Sequence, residues 1–171
     1  EGLWMDMYNE SILQGRAGAV MRGISILDTA LWDLNARAAG LPLHHYLGSV
    51  VDDRVPAYAS GGYYLDGKTP AKLGKEMESY VKQGFKAVKM KVGRLSPVEE
   101  EARVKAARKA IGDDILLTLD ANNAWRDLPT ALEYVRRFEA YNPYWIEEPF
   151  SPDAIDLHAA LARQTTINVA T

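Results

Sequence analysis

From Arg54 onward the chain repeats one unit: a short apolar run, a turn, and an amphipathic stretch of helical period, with successive runs starting roughly 25 to 30 residues apart. The runs fall at 55–59, 87–92, 115–120, 144–147 and 167–170. Pro56 lies near the start of the first, where a missing amide donor is tolerated. Helix signals fill every gap. Thr69-Pro70 opens a helix carrying Leu73, Met77, Tyr80 and Val81, and Gly84 ends it. Ser96-Pro97-Val98-Glu99 is a capping box whose helix runs to Gly112. Asp127 and Pro129 introduce a helix with Leu132, Val135 and Phe138, and Ser151-Pro152 caps one with Ile155, Leu157 and Leu161. Strands separated by one helix each form a parallel sheet. No Gly-x-Gly-x-x-Gly turn follows the first run, which disfavours a dinucleotide-binding sheet. The expected fold class is α/β: a partial (β/α)8 barrel containing strands 1 to 5.

Residues 1–52 carry a different pattern. Val20, Ile24, Leu27, Leu31, Leu34 and Ala38 recur at helical spacing over 19–39, and Gly40-Leu41-Pro42 supplies the stop. A mixed segment with a short helix precedes this helix, and a brief helical turn at 43–47 follows it. The expected division is a helical part, 1–52, and a barrel part, 53–171. The chain begins with Glu1 and stops inside the fifth run, so its 171 residues are expected to be a piece of a longer protein. Lys and Arg number 20 against 23 Asp and Glu, a net charge of −3 that argues against nucleic acid or an anionic membrane as partner. No apolar stretch approaches the ~20 residues of a membrane-spanning helix. The acidic first ten residues lack the basic and apolar regions of a secretory signal, so a cytoplasmic protein is expected. The absence of cysteine removes disulfides, thiolate metal sites and cysteine nucleophiles.

Side chains two apart on a strand point the same way. Lys89 and Lys91 therefore share a face, with Val88, Met90 and Val92 on the other. The same parity groups Thr118, Asp120 and Asn122, and it sets Trp145 with Glu147 rather than Glu148. Taken singly, each feature has an ordinary reading. A Lys-x-Lys is usually a solvated basic face, an Asp ending a strand a turn former, and Glu-Glu-Pro a loop opening. Gathered at the carboxyl ends of three successive strands, where barrels place their active sites, they point to chemistry. Two neighbouring ammonium groups near a metal release a proton more readily, which makes one lysine a usable general base. Asp120 and Glu147 offer hard oxygen ligands for Mg²⁺, and a substrate carboxylate chelated there would have its α-proton acidified and its enediolate stabilised. His44, His45 and His158 show no ligand or triad spacing and read as helix-surface or loop residues. Asp28 and Asp33 read as structural or interface residues. Trp32, Trp125 and Trp145 read as packing aromatics, with Trp125 near enough to Asn122-Asn123 to line a pocket.

Lys89-Met90-Lys91, Leu119-Asp120-Ala121-Asn122-Asn123-Ala124-Trp125 and Trp145-Ile146-Glu147-Glu148-Pro149 resemble the successive strand-end motifs of the enolase superfamily, and more closely its mandelate racemase/muconate lactonizing enzyme branch. Asp28-Thr29-Ala30-Leu31-Trp32-Asp33-Leu34, with Gly40-Leu41-Pro42-Leu43 and Leu47-Gly48 after it, is similar to the last helices of that family's α+β capping domain. The resemblance implies a capping domain on a modified (β/α)8 barrel, with Mg²⁺ held at the ends of strands 3, 4 and 5. It implies Asp120 and Glu147 as metal ligands, with a third expected beyond Thr171. Lys91 matches the lysine that serves as base. Lys89 matches the companion that neutralises the substrate carboxylate, and Asn122 matches a substrate contact. The implied partner is a small-molecule carboxylate, an acid sugar or 2-hydroxy acid, acted on by a homo-oligomer. Glu-Glu-Pro looks more like mandelate racemase and the acid-sugar dehydratases than like muconate lactonizing enzymes or dipeptide epimerases. The implied reaction is acid-sugar dehydration, with racemisation, epimerisation or cycloisomerisation as alternatives. An inactive folded fragment or assembly module is the alternative of another class. The 171 residues alone are expected to be inactive.

Overall fold

The structure, a computed structural model, describes residues 2–49 and 54–171. The expected boundary between residues 52 and 53 lies outside the described residues. The chain divides into two compact units, Glu1–Val55 and Pro56–Thr171.

The first unit is helical: α1 (Gly2–Ser11), α2 (Ala19–Ala38) and α3 (Leu43–Tyr46). Helix α2 ends where Gly40 was expected to stop it, and the Leu41 amide reaches back to the Ala36 carbonyl at 3.0 Å. Of its apolar stripe, Ile24 is buried, while Leu27 and Leu34 stand 56 % and 60 % exposed, because short α1 and α3 leave most of that face uncovered within this unit. Asp33 pairs with Arg37 at 2.8 Å on the exposed side, and Trp32 packs edge-on against Tyr46.

The second unit alternates β1 (Ala59–Gly61), α4 (Pro70–Lys82), β2 (Ala87–Lys91), α5 (Pro97–Ile111), β3 (Leu116–Asp120), α6 (Leu128–Phe138), β4 (Trp145–Glu147), α7 (Ile155–Ala162) and β5 (Asn168–Ala170). The strands form one parallel sheet in the order β1-β2-β3-β4-β5. A doubly wound sheet reverses direction at a switch point. Here each strand is added on the same side as the last, which is the winding of a (β/α)8 barrel, and the sheet is a partial barrel of five strands. Val88, Met90, Leu117, Leu119 and Ile146 turn to the helices and pack, fully buried, with Val104, Ala107, Ala131, Val135, Phe138 and Leu161. Caps place the helices as expected: Thr69 Oγ1 accepts the Lys72 amide at 3.3 Å, Glu99 Oε2 accepts the Ser96 amide at 3.1 Å, and Asp127 Oδ1 accepts the Thr130 amide at 2.8 Å.

Three expectations are corrected. The first strand is Ala59–Gly61, not 55–59: Val55 is 87 % exposed, and the residues that pair with β2 are Ala59, Ser60 and Gly61. Two glycines permit this placement: a Cβ on Gly62 (φ 66°) would lie 2.5 Å from Met90 Cβ on β2, and one on Gly61 would strike the Tyr80 hydroxyl on α4. Next, α7 starts at Ile155 and not at Ser151-Pro152. Its N-cap is Ala154, whose amide bonds the Ser151 carbonyl at 2.9 Å, so Ser-Pro forms a turn ahead of the helix. Last, His158 is not a surface residue. It is buried edge-on against Phe150 with Nδ1 2.9 Å from the Ala154 carbonyl, because α7 turns that face to the core.

Candidate active site

The register of the parallel sheet sets the site. Lys91 pairs with Asp120, Asp120 with Glu147, and Glu147 with Ala170, so one rung at the carboxyl ends of the strands carries an ammonium and two carboxylates. Two residues back along each strand, Lys89, Thr118, Trp145 and Asn168 form the next rung on the same face. Lys91 Nζ donates to Asp120 Oδ2 at 2.6 Å. Lys89 Nζ donates to Glu147 Oε1 and Oε2 at 2.9 and 3.0 Å and lies 3.3 Å from Asp120 Oδ2. Trp145 Nε1 donates to Glu147 Oε2 at 3.2 Å. Asp120 is almost wholly buried, and its Oδ1 accepts the Asn122 amide at 3.0 Å.

Electrostatics follow from this pairing. Burial works against the ammonium of Lys89, but the hydrogen bonds to Glu147 and Asp120 outweigh it and hold its pKa well above the ordinary lysine value. For Asp120, burial works against the carboxylate, and the bonds from Lys91, the Asn122 amide and Lys89 outweigh it, so its pKa lies below the usual aspartate range. In this arrangement each lysine is opposite a carboxylate, and Lys89 is held charged.

Asn122 does not continue the strand parity. Its backbone is left-handed (φ 46°), as are Asn123 (φ 62°) and Glu148 (φ 45°), and the Asn122 amide group donates to Glu148 Oε2 at 3.3 Å. The loops after β3 and β4 are thereby knitted together: Asn123 N bonds the Glu148 carbonyl at 2.7 Å and Trp125 N bonds the Pro149 carbonyl at 3.1 Å. Asn122 still reaches the site, since it lines a cavity of about 360 Å³ with Lys91, Tyr63, Tyr64, Gly93 and Arg94. Trp125 is buried and stacks obliquely on Tyr134, as a packing aromatic does.

Sequence reasoning missed two groups. The Tyr58 ring lies 5.3 Å from Lys89 Nζ and the Tyr63 ring 5.5 Å from Lys91 Nζ. Both flank β1, which lies later in the chain than its apolar run suggests. The second group is Glu100 and Arg103, buried together on α5. The signal was available: stepping back from Ile111, Ala107 and Val104 by three or four residues lands on both.

Among the described residues no three His, Cys, Asp or Glu side chains gather closely enough to enclose an ion. Asp120 and Glu147 nonetheless supply hard oxygen donors at matched register, the type of donor that suits Mg²⁺.

The family described as enolase C-terminal domain-like matches residues 72–171, more than half of the chain. The chain belongs to this family. Its motifs and relatives place it in the mandelate racemase/muconate lactonizing branch of the enolase superfamily. It is 41 % identical over 170 residues to an arabinonate dehydratase of Saccharolobus solfataricus, covering 99 % of this chain and 45 % of that protein. It is 39 % identical over 160 residues to an L-talarate/galactarate dehydratase of Salmonella typhimurium, covering 92 % and 39 %. Among solved structures, L-talarate dehydratase from Polaromonas sp. JS666, complexed with Mg and L-glucarate, superimposes with a TM-score of 0.86 at 38 % identity, covering 99 % of this chain and 47 % of that one. Other relatives in the family are named as cycloisomerases and an epimerase. The chain thus spans less than half the length of the curated relatives it matches. No helix of the described residues is long and apolar enough to cross a membrane.

Proposed function

We propose that this chain carries the proton-abstracting half of a Mg²⁺-dependent enzyme that removes the α-proton of a carboxylate substrate, with dehydration of an acid sugar as its reaction. The observation that carries the reading is the rung Lys91–Asp120–Glu147, with Lys89 directly beneath it, at the carboxyl ends of three consecutive parallel strands. Relatives named as dehydratases of arabinonate and of talarate/galactarate support the acid-sugar substrate. They also disfavour an assembly module without chemistry. The same abstraction opens racemisation, epimerisation or cycloisomerisation, and those names among the relatives make cycloisomerisation or epimerisation the second reading.

Each residue has a role in this reading. Asp120 and Glu147 would hold the ion, which when bound withdraws electron density from a chelated substrate carboxylate. Lys91 Nζ takes the α-proton. Lys89 offsets the substrate's negative charge, and Asn122, on the shared cavity wall, hydrogen-bonds the substrate. Within this reading the active form is a homo-oligomer.

The test uses the complete protein, a panel of acid-sugar carboxylates and deuterated buffer. Lys91→Met abolishes α-proton exchange while Mg²⁺ affinity stays within about threefold of the parent. Exchange at the parental rate in Lys91→Met would remove Lys91 from the role of base.

A further inference from the structure

Helix α5 buries a charged pair where its apolar stripe ought to continue. Val104, Ala107 and Ile111 face the core, and one turn earlier on that side stand Glu100, fully buried, and Arg103, 5 % exposed. A buried ion pair is a poor route to stability, since desolvation offsets most of the attraction and well-packed apolar side chains do as well. Its hydrogen bonds show what it holds instead. Arg103 Nη1 donates to Glu100 Oε2 at 2.7 Å and to the Lys91 carbonyl at 2.9 Å, while Nη2 donates to the Gly62 carbonyl at 2.8 Å. Glu100 Oε1 accepts the Arg94 and Leu95 amides at 3.0 Å each, and the Tyr64 hydroxyl as well. The Arg103 guanidinium also lies on the Tyr64 ring, 4.0 Å from its centroid.

Every one of these partners, apart from the internal bond, belongs to backbone or side chains around Lys91. The pair grips the carbonyl of Lys91 itself, the two amides that follow on its loop, and the loop from β1 whose Tyr63 ring faces the Lys91 ammonium. Arg103 does not line the cavity that Lys91 and Asn122 share. We propose that Arg103, braced by Glu100, is a positioning residue for Lys91: it fixes the end of β2 and the facing loop so that the ammonium and the Tyr63 ring keep their places on the cavity wall. Displacing a reacting group by about 1 Å costs on the order of a hundredfold in rate, so such a brace acts on turnover rather than on binding.

The inference rests on Lys91 being the base, and the test separates the two. In the complete enzyme, kcat and KM for α-proton exchange are measured for Arg103→Met, Arg103→Lys and Tyr64→Phe beside Lys91→Met. Amide hydrogen exchange is followed at Arg94 and Leu95 and across β3. Arg103→Met lowers kcat about ten- to hundredfold with KM changed less than about threefold. Arg103→Lys, which keeps the charge but loses the fork, falls between it and the parent. Tyr64→Phe, which keeps the ring but removes the bond to Glu100 and the one accepted from the Arg94 amide at 3.2 Å, lowers kcat about threefold. In all three, the Arg94 and Leu95 amides exchange faster while β3 keeps its protection. Should Arg103→Met fail to fold, Arg103→Lys and Tyr64→Phe decide the matter. Parental kcat in both overturns the proposal, and so does a kcat loss accompanied by faster exchange throughout β3, which marks general destabilisation. If Lys91→Met leaves exchange intact, the base assignment fails and this inference with it.

Discussion

Each lysine of the site is held between a carboxylate and an aromatic face: Lys89 between Glu147 and Tyr58, Lys91 between Asp120 and Tyr63. Two ammonium groups are thus kept in a largely buried setting without an uncompensated charge. The loop after Lys91 makes its turn at Gly93, where φ is 97° and a Cβ would stand 2.6 Å from that of Ala124. Gly93→Ala therefore combines backbone strain with a clash and destabilises the fold by about 2–4 kcal/mol, read as a lowered urea midpoint; an unchanged midpoint would contradict the described turn. Strand parity was enough to bring Lys89, Lys91, Asp120 and Glu147 together, because period two holds as long as the strand does. It failed at Asn122, where the chain has already left the strand for a left-handed turn that the sequence marks only as an Asn pair. Tyr58 and Tyr63 were out of reach because their contacts depend on where β1 lies.

At the scale of elements, starts and stops were legible wherever local chemistry decides them. Caps at Thr69, Ser96 and Asp127 and stops at Gly40, Gly84 and Gly112 put four helices within a residue or two of their places. Errors came where tertiary contact decides: β1 lies where Gly62 lets β2 approach and Gly61 leaves room for Tyr80 of α4, and α7 begins without a side-chain cap. The Asp127 cap yields a pH-dependent prediction. Its pKa lies below the ordinary aspartate value of 3.8, because the Thr130 amide and hydroxyl both favour the charged carboxylate. A lowered folded-state pKa gives stability that is present above the ordinary value and lost as pH falls through the folded value. Asp127→Ala thus lowers the urea midpoint at neutral pH, and the gap to the parent narrows on acidification below about pH 4. A gap that stays constant or widens as pH falls would run against this assignment.

For the molecule as a whole, consecutive strand order is the informative feature. It excludes the doubly wound alternative and puts every strand-end motif on one rim. It also leaves β1 and β5 as the two edges of the described sheet, each with unpaired backbone groups of the kind that templates association. The 171-residue chain produced by itself is expected to self-associate in light scattering; a compact 19.0 kDa monomer would count against this. Net charge and the absence of cysteine narrowed the classes of function, while the rim motifs and their order carried the positive assignment. The paired loops above β3 and β4 bear on engineering. Because Asn123 and Trp125 take their acceptors from Glu148 and Pro149, the two segments form one cassette: exchanging the β4 loop alone strands the amide donors of the β3 loop, and exchanging the β3 loop alone strands the carbonyl acceptors of the β4 loop. Reshaping this rim for another substrate calls for transplanting both loops together.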